Sequence, residues 1–148
     1  EAFHTVGTLA NIVAYERAQP GLILVRSAGG QRFMLSKSVP LKHGLWVGDA
    51  DWLSEDLSIP VPTDLGYVQL GLQKLVTHLL STLSAEEAPP LQTPFRWDDC
   101  GWVANRWCEL LPISPQLKQQ LMMLDNPLLR LELVADLLER LKISTRPD

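Results

Sequence analysis

Residues 59–83, IPVPTDLGYVQLGLQKLVTHLLSTL, are where the chain changes character. Ile59-Pro60-Val61-Pro62 is a proline-punctuated hinge. Thr63 or Asp64 is placed to cap a helix, because a short side-chain oxygen can accept from the unpaired amides of a first turn. From there Leu65, Val68, Leu72, Leu75, Val76, Leu79 and Leu83 recur at steps of three and four. That spacing draws one continuous apolar stripe along a helix. Upstream of the hinge the pattern is of strands and turns; downstream it stays helical. Fold class and organisation follow: an α+β chain with a β subdomain over 1–60 and a helical subdomain over 61–148.

Working back from the hinge, Leu45 to Leu53 (LWVGDADWL) reads as a strand with Trp46, Gly48, Ala50 and Trp52 on one face and Leu45, Val47, Asp49 and Asp51 on the other. Pro40 and Lys42-His43-Gly44 separate it from Gln31 to Ser38 (QRFMLSKS), whose alternation suits a half-buried strand. Gly29-Gly30 reads as a tight hairpin with positive φ angles, and Gly21 to Ser27 (GLILVRS) as the strand before it. Gln19-Pro20-Gly21 ends a first strand over Thr8 to Arg17. About four short strands joined by tight turns predict an antiparallel meander or part of a barrel.

Working forward, residues 84–96 carry Pro89, Pro90 and Pro94 and read as a loop. Asp98 or Asp99 opens a helix with Val103, Trp107, Leu110 and Leu111 on one face. Ser114-Pro115 and Asn126-Pro127 are each an N-cap followed by proline at the first helical position, where a missing N–H costs nothing. The helices they start run to about Leu124 and through Leu128, Leu131, Ala135, Leu138 and Leu141. The second half is thus a four-helix bundle with a polar tail, Ser144 to Asp148, that is expected to fray.

Hydrophobic residues at 46% and charged residues at 20% are a globular profile. No apolar run approaches the roughly 18 residues of a membrane span. A net charge of −4 supplies no field toward phosphate backbones, and Arg26, Arg32 and Lys37 are scattered, so nucleic acid is disfavoured as a partner. Cys100 and Cys108 lie eight residues apart on one helix, about 12 Å of rise, beyond disulfide reach. They read as reduced thiols, which predicts a cytoplasmic chain.

Catalytic, metal and cofactor chemistry find no constellation here. Gly29-Gly30 leads into Gln31-Arg32 rather than a phosphate loop's lysine and hydroxyl. Ser36 and Lys37 are adjacent on a strand and point to opposite faces. His4, His43 and His78 stand alone, and Asp49 and Asp51 share a face without a third ligand. Five tryptophans among 148 residues are more informative, since an indole offers a large apolar face with a polar handle. Trp107 belongs to the core stripe. Trp97, beside Pro94-Phe95-Arg96, together with Phe95, Trp46 and Trp52, form the candidate set for contacting a partner.

With these residues placed, the chain resembles the Lon-protease N-terminal (substrate-binding) domain family. Val6 to Val13 (VGTLANIV) is similar to its "VGTxAxI" strand, Gly29 to Phe33 (GGQRF) to its "GxxRF" segment, and Val47 to Leu53 to its "V.E.EWL" strand, with Asp49 and Asp51 where Glu is common. Leu110 to Pro115, Lys118-Gln119 and Leu124 to Leu131 resemble its "LPLSxxxKQxLLxxxDxxxRL" segment. In order and spacing these cover nearly the whole chain.

The resemblance implies a PUA-like β-barrel, incomplete here, followed by a helical bundle. It also implies a non-enzymatic module that engages unfolded or degron-bearing polypeptides or a partner protein. The family opens with a "LPLFPL"-type strand that has no counterpart after Glu1, so roughly 50 further residues are expected upstream to close the barrel. The end soon after the last helix favours a stand-alone relative over a protease fragment. A PUA-like domain for RNA or a small ligand is the second reading, which the acidic composition counts against. An enzyme built on Cys100 or the carboxylates is the third, and thiol alkylation without loss of function would remove it.

Overall fold

The computed structural model describes residues 3–84, 89 and 91–143. Its contacts divide the chain into two compact units, 1–55 and 56–148. The first holds strands β1 (Val6–Gln19), β2 (Leu22–Pro40) and β3 (Trp46–Trp52) in an antiparallel sheet of order β1-β2-β3. The second holds helices α1 (Gly66–Thr82), α2 (Cys100–Leu110), α3 (Pro115–Met123) and α4 (Pro127–Arg140).

Pro20-Gly21 makes the β1–β2 turn: Gln19 pairs with Leu22, and Gly21 takes φ 82, near the angle a type II turn needs at its third residue. Between β2 and β3 the chain turns over Lys42–Gly44, closed by the Leu41 amide donating to the Leu45 carbonyl at 2.6 Å.

Three strands replace the expected four. The runs Gly21 to Ser27 and Gln31 to Ser38 are parts of one 19-residue strand, and Gly29-Gly30 lies inside it rather than at a hairpin. Among the described glycines only Gly21 and Gly44 have positive φ. What the glycine pair marks is a bulge: Thr8 to Ala10 on β1 faces the longer Gly29 to Arg32 on β2. A Cβ on Gly30 would come within 2.8 Å of the Asn11 side-chain nitrogen and 3.3 Å of the Leu9 Cβ, so the residue is small because β1 is close. Further register shifts fall between Ile12 and Ala14, Arg17 and Gln19, and Leu35 and Lys37. At the last of these the Ser36 hydroxyl donates to the Asp49 carbonyl. The sheet is not closed into a barrel; β1 and β3 are its edges.

In the helical unit the apolar stripe of α1 packs Val68, Leu72 and Val76 with Val103 and Trp107 of α2 and Leu131, Val134 and Leu138 of α4. The Trp107 indole is fully inside, and its N–H donates to the Val68 carbonyl at 3.0 Å, so its one polar atom is satisfied. Asp99, Ser114 and Asn126 cap α2, α3 and α4 as the sequence predicts. At α1 it differs. Thr63–Leu65 forms a short 3-10 turn, α1 begins at Gly66, and neither Thr63 nor Asp64 supplies a side-chain cap.

The strip 56–61 runs with this unit. The Val61 amide donates to Asp98, the Cys100 amide donates to Ile59, and the Ser58 hydroxyl donates to the Asp99 carboxylate. Arg130 of α4, 1% exposed, binds the Asp56 carboxylate, the Asn105 side chain and the carbonyls of Leu121 and Leu124. Part of the loop expected over 84–96, residues 85–88 and 90, and the tail 144–148 lie outside the described residues.

Candidate binding surface

Among the described residues no cluster of three or more His, Cys, Asp or Glu could hold a metal. Cys100 is buried, with its Sγ 3.4 Å from the Pro60 carbonyl. Burial raises its thiol pKa, and the adjacent Asp99 carboxylate raises it further. Cys108 is half-buried and desolvation pushes it up to about 11, against the opposing pull of Arg130 and Lys118. Both shifts favour the thiol over the nucleophilic thiolate. Desolvation also raises Glu109, an effect that Arg106, in a 2.5 Å ion pair with it, and Lys118 oppose.

The aromatic candidates fall into two settings. Phe95 and Trp97, on the chain leading into α2, are brought together: their rings lie 5.0 Å apart. Trp102, on the first turn of α2, completes the group at 5.9 Å from Phe95 and 4.9 Å edge-on from Trp97. These are the separations at which edge-to-face and tilted ring pairs attract. The Arg106 guanidinium lies 5.7 Å from the centre of the Trp102 ring, within cation–π range. Phe95 and Trp97 are half-buried against the helical core, so each presents only part of its ring. Trp102 was not among the residues singled out from the sequence, because only the fold brings its ring against both Phe95 and Trp97.

Trp46 and Trp52 sit at the two ends of β3, about 20 Å apart along the strand. They share a face, as alternation predicts, but do not meet. Trp46 is 42% exposed and stacks edge-on with Phe3 at 5.1 Å; Trp52 is 60% exposed and stacks edge-on with Phe33, its partner across the sheet, at 6.3 Å.

Beyond these indoles the β unit leaves further apolar residues exposed, and Tyr15 pairs with Val25 across β1 and β2 at the other end of the sheet. Among its described residues Val6 is the one buried position, while Ile12, Tyr15, Ile23, Val25 and Leu45 are each more than half exposed. Scattered exposed apolar residues are ordinary; a contiguous patch of them is a mark of an interaction surface. Sequence reasoning placed these residues on strands and left their exposure open, because apolar composition reports that a side chain can be buried and not what buries it.

The comparisons agree with this architecture. Residues 1–140 match the family of the ATP-dependent protease La (LON) substrate-binding domain. The fold is similar to the crystal structure of a Lon N-terminal domain protein from Xanthomonas campestris, with TM-score 0.69 and 24% identity, covering 91% of this chain and 69% of that one. Comparison with curated proteins returns no match. No helix among the described residues is long and apolar enough to cross a membrane. With a family match over 140 of its 148 residues, the chain belongs to the LON substrate-binding domain family.

Proposed function

We propose that this chain recognises polypeptides without catalysing a reaction on them, engaging unfolded or degron-bearing segments in the cytoplasm in association with proteolysis. The observation that carries this reading is the exposure of apolar side chains on β1–β3, the indoles of Trp46 and Trp52 among them. Extended chains offer matching chemistry: alternate apolar side chains for the sheet surface and backbone donors and acceptors for a sheet edge. The family match supports substrate recognition as the role. The sheet is read as part of a PUA-like β-barrel. Trp52 and Trp46 are assigned the first contacts, and Phe95 and Trp97 a second contact surface on the helical unit.

The test is fluorescence anisotropy of a dye-labelled, permanently unfolded protein, such as a reduced and carboxymethylated one, titrated with the full chain. Saturable binding is expected, weakened several-fold by Trp52→Ala and to a lesser degree by Trp97→Ala. Labelled single-stranded RNA serves as the second arm. No saturable binding of the unfolded protein, or RNA binding with a steep salt dependence, overturns the proposal.

A further inference from the structure

We draw no further inference here: the strongest candidate, the row of exposed leucines on α4, Leu129 and Leu133, carries nothing because no feature of the structure shows what covers it.

Discussion

At the scale of single residues, Arg130 is the clearest dependence in the helical unit. Its guanidinium is shared among the Asp56 carboxylate, the Asn105 side chain and two main-chain carbonyls, those of Leu121 and Leu124. Removing one member of a buried ion pair strands the other, which costs about 3–5 kcal/mol. Arg130→Met should therefore lower the unfolding free energy extracted from urea denaturation by an amount in that range. Arg130→Lys should recover little, since an ammonium cannot reproduce a planar fork with five donors. An unchanged midpoint for Arg130→Met would show that the network contributes nothing. Cys108 gives a pH dependence. Its folded pKa of about 11 lies above the ordinary thiol value of 9.0, so the unfolded state loses its proton first as pH rises. Stability is then unaffected below pH 9 and falls between pH 9 and about 11, by up to roughly 2–3 kcal/mol. Thermal unfolding of wild type and Cys108→Ala across pH 8–11 checks the sign: the difference between them should close, then favour the variant, as pH increases. A parallel pair of curves would sink the assignment.

At the scale of elements, the legible features were those with a local physical cause. Asp99, Ser114 and Asn126 announce helix starts because a capping oxygen satisfies first-turn amides within three residues, with no help from the rest of the chain. Asn126→Ala should cost about 1 kcal/mol on the same principle, read from chemical denaturation, with α4 as the element lost first in hydrogen exchange. Illegible features depended on a partner strand. Gly29-Gly30 reads as a turn in isolation, and only the register of β1 converts it into a bulge. Likewise Thr63 and Asp64 have capping chemistry, yet the chain winds a 3-10 turn through them and α1 starts later. The glycine pair offers a sharp test. A hairpin glycine at positive φ would resist alanine, whereas Gly29 lies in a strand, and a Cβ there would meet nothing within 4 Å. Gly29→Ala should be neutral or stabilising by up to about 1 kcal/mol through lost unfolded-chain entropy. Gly30→Val should destabilise, because its side chain would run into Asn11 and Leu9. Loss of stability in both variants to the same degree would restore the hairpin.

At the scale of the whole molecule, family and α+β class were readable because ordered motifs span the chain, and no single one had to be decisive. The candidate site was readable only in part. Trp46 and Trp52 are on one face because side chains on a strand alternate, but a count of tryptophans says nothing of which other apolar residues of the sheet are exposed. Phe95 and Trp97 do meet, in a cluster that is half spent on packing the helical core. What separates the two binding chemistries, capture of apolar polypeptide and capture of a phosphate backbone, is their response to salt. The chain carries −4 overall, and its sheet leaves aliphatic and aromatic side chains exposed, Ile23, Val25, Trp46 and Trp52 among them. Contact between apolar surfaces releases no condensed counterions, whereas a protein gripping 6–10 phosphates loses about 10³–10⁵ in affinity between 50 and 200 mM salt. Binding of the unfolded protein should accordingly change by less than about threefold over that interval. Replacing Ile23 and Val25 together by lysine should weaken it at both salt concentrations, without shifting the unfolding of the helical unit. Affinity that collapses with salt, or that the double substitution leaves untouched, would remove the apolar sheet from the binding surface.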